Sequence, residues 1–137
     1  MTDIRIQGLA EVVLNVRDMA ASLGFYRDLL GLEQISPPER KSPVFLRAGA
    51  ATAALPSLVV LVQLAEDSAG FVPPRTLHHL ALALDEDGFD TARAALEEAG
   101  YEPRGGQHPV LPSRTMYVDD PDGNEVEFIA PPAEVRA

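Results

Sequence analysis

A chain of 137 residues is about one ordinary domain, long enough to bury its own core and too short for two large independent ones. At 46% hydrophobic and 23% charged it is not too polar to fold, and its zero cysteines exclude disulfides, thiolate metal sites and a cysteine nucleophile, so any metal must rest on nitrogen and oxygen donors. The net charge of −10, with a pI near 4.6, repels phosphate backbones and anionic bilayers and predicts neither a nucleic-acid nor a membrane partner.

The chain begins MTDIRIQGLAEVV, with an acidic residue at Asp3 and no cleavable apolar stretch, and no run approaches the roughly 18 apolar residues of a membrane span. A cytoplasmic protein, neither exported nor anchored, is the expectation. Residues 9–33, LAEVVLNVRDMAASLGFYRDLLGLE, then read as strand, acidic turn, amphipathic helix and a closing Gly-apolar-Glu. Asp18 is placed to cap the helix, Met19, Leu23, Tyr26, Leu29 and Leu30 follow helical spacing, and Gly31 ends it where a left-handed residue is favoured. Strands are predicted at 32–36, 43–48 and 58–65, separated by PPERKS and GAATAALPS. The stretch EDSAGFVPPRT follows, kept out of regular structure by Pro73 and Pro74.

The same grammar then returns. Residues 77–102, LHHLALALDEDGFDTARAALEEAGYE, repeat the order of parts at an offset of 68 at the strand and 69 at the glycine. The second helix starts among Asp85, Glu86 and Asp87, carries Phe89, Ala92, Leu96 and Ala99, and stops at Gly100; its acidic start suits the helix dipole and reads as a solvated cap. Strands are predicted at 101–104, 114–118 and 125–130, separated by GGQHPVLPS and DDPDGN. One α+β domain of two βαβββ modules, 7–65 and 76–131, is therefore expected.

Side chains two apart share a strand face. Val12, Leu14 and Val16 form one apolar face of the first strand, against Glu11, Val13 and Asn15 on the other. In the repeat, Leu80, Leu82 and Leu84 oppose His79, Ala81 and Ala83. The apolar face suits a covering helix, and the polar or small face suits a cavity. Aligning LVQLAED with VEFIAPP, at an offset of 64, matches Gln63 to Glu127. Four polar positions follow: Glu11, Gln63, His79 and Glu127. Each alone has an ordinary reading, a solvated strand residue or a hydrogen-bonded histidine. Together, two carboxylates, an amide and an imidazole facing one cavity would be costly to desolvate unless neutralised, and a divalent cation supplies that neutralisation.

These residues, with the DPDGN turn before Glu127 in RTMYVDDPDGNEVEF, make the chain resemble the vicinal oxygen chelate proteins, the glyoxalase/bleomycin resistance/dioxygenase superfamily. The resemblance covers nearly the whole chain. It implies two βαβββ modules forming an open curved-sheet barrel, with a metal held by Glu11, Gln63, His79 and Glu127; Glu11 departs from the commoner His. One Gln, one His and two Glu is the set used by lactoylglutathione lyases of the superfamily, with Gln and the first Glu exchanged between modules, and Gln in the last strand of the first module is similar to methylmalonyl-CoA epimerases. Three oxygens and one imidazole suit octahedral Ni, Co, Zn, Mn or Fe. The ion would act as Lewis acid toward a small-molecule substrate in a lyase or isomerase, with Glu11 or Glu127 as base. An extradiol-type dioxygenase is less favoured, because its iron takes two His and only one mapped position is His. The rival is a metal-free drug- or metabolite-binding protein, disfavoured by 6% aromatics and no Trp. The resemblance also implies a homodimer.

The remaining candidates read as structural. His78 is expected on the strand face opposite His79, and His108 at the surface of its Gly/Pro-rich loop. Arg114 is expected to pair with Asp119 or Asp120, with contact to an anionic substrate as the alternative. Asp122, Gly123 and Asn124 read as turn chemistry, with positive φ supplied at Asp122-Gly123. The loops at 36–43, 66–76 and 103–113 carry no substrate motif.

Overall fold

Asp18 sits in extended backbone, φ −134°, and its side chain accepts from the Ala21 amide at 3.2 Å, so the helix starts where the capping residue predicts. The computed structural model describes residues 5, 7–50, 55–65 and 77–133. The leader reading at Asp3 and the irregular stretch with Pro73 and Pro74 lie outside the described residues. The first module runs β1 (Glu11–Val16), α1 (Met19–Leu23), β2 (Glu33–Gln34), β3 (Val44–Ala50) and β4 (Pro56–Gln63). Beyond Leu23 the helix continues in wider turns through Gly24–Leu29, with the Leu30 amide reaching back five residues to the Phe25 carbonyl at 2.9 Å. Phe25 and Tyr26 are buried there edge to face, centroids 4.9 Å apart.

The second module repeats the order as β5 (Leu80–Ala83), α2 (Glu86–Glu98), β6 (Arg104–Gly106), β7 (Arg114–Asp119) and β8 (Glu125–Ala130). Asp85 caps α2 by accepting from the Gly88 amide. Its far end closes in paired bonds, Tyr101 amide to Leu96 carbonyl at 2.9 Å and Gly100 amide to Glu97 carbonyl at 3.0 Å. That closure needs Gly100 at φ +93°, which costs a residue without Cβ nothing. β2 is shorter than expected because Pro37 and Pro38 follow it without amide hydrogens. β6 starts later, because Tyr101 is taken up in closing α2 and Pro103 cannot donate.

Each module forms one four-stranded mixed sheet, in the orders β1-β4-β3-β2 and β5-β8-β7-β6. The first strand of each module lies at the edge of its sheet and runs parallel to the last strand beside it, and the remaining neighbours run antiparallel. On the helix side lie Leu14, Val16, Val59, Leu61, Val44 and Leu46 in the first sheet, and Leu80, Val126, Phe128, Met116 and Val118 in the second, all buried. Phe89 and Leu96 bring the α2 stripe to the second core. At about 1.5–3 kcal/mol for each fully buried aliphatic or aromatic side chain, these faces hold each module's sheet and helix together. Among the described residues no helix is long and apolar enough to cross a membrane.

The registers correct one expectation. In the second sheet Glu127 stands between Ala81 of β5 and Tyr117 of β7. The corresponding place in the first sheet, between Val13 of β1 and Phe45 of β3, belongs to Val60 rather than Gln63. Gln63 stands three residues further on, beside Val16 and therefore on the helix side. Glu11, level with Leu58, is on the other face. Sequence similarity between short apolar strands tolerates such a slip, whereas a ladder does not, since an odd shift turns every side chain over.

Candidate functional site

The second module gathers a constellation of titratable groups on the face of its sheet away from α2. β8 alternates Glu125, Glu127 and Ile129 on this face against Val126, Phe128 and Ala130 in the core. The turn before it is built by Asp120, a buried carboxylate that accepts from the Asp122 and Asn124 amides at 2.9 and 2.8 Å and from Asn124 Nδ2 at 3.0 Å. Gly123 supplies φ +79°, as the turn reading expects. This hairpin sets the register that brings Tyr117 directly opposite Glu127.

Glu127 is only 3% exposed. A carboxylate so far from water needs charge-assisted partners. It has two: His79, whose Nε2 lies 3.1 Å from its Oε1, and the Tyr117 hydroxyl. Burial, and then that bond to Glu127, push the Tyr117 phenol above its ordinary range. The His79 and Tyr117 rings meet edge to face at 6.3 Å. Gly106 leaves room for the Tyr117 ring, since a Cβ there would stand 2.5 Å from its Cε2.

His78 does not take the opposite face. Its Nδ1 lies 2.8 Å from His79 Nδ1. β5 begins only at Leu80, so the alternation that governs strand residues does not act on His78. Glu125 adds a third group: His78, His79 and Glu125 offer ligand atoms all within 4.8 Å of one another. Glu125 also faces Arg104, 3.4 Å away, which bonds Asp119 at 3.0 Å. Arg114 is held not by Asp119 or Asp120 but by Asp90 of α2 at 2.7 Å, with its guanidinium over the Phe89 ring. That bond raises the Arg114 pKa and lowers that of Asp90. His108 closes its own loop, Nδ1 accepting from the Val110 and Leu111 amides.

In the first module Glu11 opens β1 and is exposed. Gln63 has a different occupation. Its Oε1 accepts from the Met19 amide at 3.0 Å, and its Nε2 donates to the Arg17 carbonyl at 2.8 Å, with longer contacts to the Val16 and Leu64 carbonyls. The amide thus clamps the β1–α1 turn to the end of β4, and ligation would require it to surrender those bonds.

The donor chemistry suits a divalent ion. Nitrogen and oxygen donors about 2.1 Å from an octahedral ion stand about 3 Å apart when adjacent, and His79 Nε2 and Glu127 Oε1 are 3.1 Å apart. No thiolate is present to divert the site toward closed tetrahedral zinc. Of the residues gathered here, the sequence singled out His79 and Glu127 as ligand candidates, set His78 on the opposite face, and gave no reading of Glu125 or Tyr117 as site residues. Tyr117 had a signal: folding the chain at Asp122 pairs it with Glu127.

This twice-built βαβββ architecture matches known proteins. Residues 8–128 fit the profile of the Glyoxalase/Bleomycin resistance protein/Dioxygenase superfamily, and the chain belongs to that family. A catechol-2,3-dioxygenase of Bacillus subtilis (strain 168) is 31% identical over 121 residues, covering 85% of this chain and 39% of the relative, so the chain spans well under half the relative's length. Among solved structures, a glyoxalase/dioxygenase from Nostoc punctiforme is 23% identical with a TM-score of 0.72, covering 97% of each chain. A lactoylglutathione lyase from Agrobacterium tumefaciens is 22% identical with a TM-score of 0.65, covering 89% of this chain and 92% of that one. At such identities the two structures speak for the fold.

Proposed function

We propose that this protein is a metal-dependent enzyme acting on a small oxygenated molecule, with a divalent ion held by His79 and Glu127. The observation that carries the reading is the 3.1 Å approach of His79 Nε2 to a carboxylate buried to 3% exposure. Gln63, the fourth residue of the family pattern, is left out of the donor set because its amide already bonds the β1–α1 turn. When bound, the ion would supply Lewis acidity to substrate oxygens, the chemistry shared by lyases and isomerases of this kind. Glu127 would hold or take a proton from the substrate while Tyr117 donates to it, an arrangement that keeps the carboxylate oriented in a poorly hydrated place.

Metal analysis of protein purified without chelators tests this reading. Wild type should carry close to one equivalent of a first-row divalent ion, while His79→Ala and Glu127→Gln, checked for folding by circular dichroism, should carry almost none. Full metal content in both variants refutes the site. A metal-free wild type whose ligand binding ignores chelator supports the binding-protein rival instead.

A second reading, an extradiol-type dioxygenase, is supported by one specific observation. His78, His79 and Glu125, whose ligand atoms lie within 4.8 Å of one another, would make a two-His, one-carboxylate set. The similarity to the Bacillus catechol-2,3-dioxygenase agrees with it. Oxygen uptake with a catechol by iron-loaded protein tests it.

A further inference from the structure

His78 has no part in the His79–Glu127 donor pair of the leading proposal, and its geometry gives it a different task. The Glu127 carboxylate receives the Tyr117 hydroxyl and faces His79 Nε2. A carboxylate only accepts, so the hydrogen on that edge of the imidazole belongs to Nε2. His79 then presents a bare Nδ1 to His78 Nδ1 at 2.8 Å. Two lone pairs at that distance would repel, and the contact is a hydrogen bond only if His78 carries its hydrogen on Nδ1.

An ion at His79 Nε2 requires the reverse. The nitrogen that gives its lone pair to a metal cannot keep its hydrogen, which must pass to Nδ1, and His78 Nδ1 must turn from donor to acceptor. We infer that His78 is a positioning residue for the metal site, coupled to His79 as a tautomer pair that inverts when the ion binds. The change is one of tautomer alone. His79 moves its hydrogen from Nε2 to Nδ1 and His78 moves its own from Nδ1 to Nε2, through solvent, with no net proton released. A ligating histidine commonly gives its other N–H to a carboxylate, carbonyl or water, and removal of that partner weakens metal binding by 10–100-fold. Here an imidazole fills the place. His79 is about one-third exposed, so water can stand in partly, which puts the expected loss near the lower end, about tenfold.

The inference rests on the metal-enzyme reading, and the experiment separates the two. Nitrogen-15 ring spectra of unloaded wild type should show the Nε2–H form of His79 and the Nδ1–H form of His78, with both inverting on addition of Zn²⁺. Zn²⁺ affinity, measured by competition with a chromophoric chelator, should fall about tenfold in His78→Phe and recover most of that in His78→Asn, whose carbonyl can accept. Wild-type affinity in His78→Phe, or tautomers that fail to invert in a protein that binds Zn²⁺, overturns the inference and leaves the functional reading intact. If His78→Phe and Glu125→Gln abolish binding while Glu127→Gln keeps it, His78 is itself a ligand and the positioning role fails. Wild type that binds no Zn²⁺ overturns the functional reading and, with it, the metal-coupled half of this inference.

Discussion

Replacing Gly106 by alanine should dislodge Tyr117 and, through it, loosen Glu127. A Cβ at Gly106 would lie 2.5 Å from Tyr117 Cε2 and 3.4 Å from Cδ2, whereas carbon atoms rest about 3.5–4.0 Å apart, so the ring must retreat by about 1 Å. Its hydroxyl moves with it, and an O–H···O bond holds over only a few tenths of an ångström. Overpacking costs about 1–3 kcal/mol, and a bond to a charged acceptor is worth about as much. Because Tyr117 is half-buried, we take about 2 kcal/mol for the two effects together. The neighbouring Gly105, with nothing within 4 Å of its would-be Cβ, is the control. Comparing the two alanine variants cancels the change in unfolded-chain entropy common to both. In urea unfolding, Gly106→Ala should fall about 2 kcal/mol below Gly105→Ala, and the alkaline absorbance titration of Tyr117 should move back toward the ordinary phenol range. Equal stabilities within about 0.5 kcal/mol would show that the ring does not occupy the space beside Gly106.

Three further outcomes are expected. Gln63→Ala, which removes the amide bonds to Met19 and Arg17, should lower stability by about 1 kcal/mol in urea while leaving metal content unchanged; lost metal with unchanged stability would restore Gln63 to the donor set. Asp120→Ala leaves the Asp122 and Asn124 amides of a buried turn unpaired and should cost about 3 kcal/mol by thermal or urea unfolding. The raised phenols of Tyr101, shifted chiefly by burial, and Tyr117 keep their protons in the folded state after the unfolded chain has lost them near pH 10, so their contribution is present below pH 10 and is lost as pH rises through the raised values; Tyr117→Phe should shrink that alkaline decline, read by urea unfolding at successive pH values.

Local chemistry was legible in the residues themselves. Asp18 and Asp85 announced helix starts, Gly31 and Gly100 announced ends, and DPDGN announced a hairpin, because capping and turn geometry act within a few residues. Apolar alternation separated core from open face in β1 and β8, and the repeat exposed two modules of the same plan. His79 and Glu127 followed from these regularities. What the alternation could not supply was register between strands distant in the chain. The parallel pairing of β1 with β4 puts Val60 where Gln63 was expected and turns Gln63 toward the helix, a choice made by core packing across the ladder. Likewise, Arg114 finds Asp90 on α2, Tyr117 finds Glu127, and His78 swings to His79 from outside the strand. Periodicity is a property of one segment, whereas each of these partnerships joins two, and only the closed ladder and the packed helix bring such pairs within bonding distance.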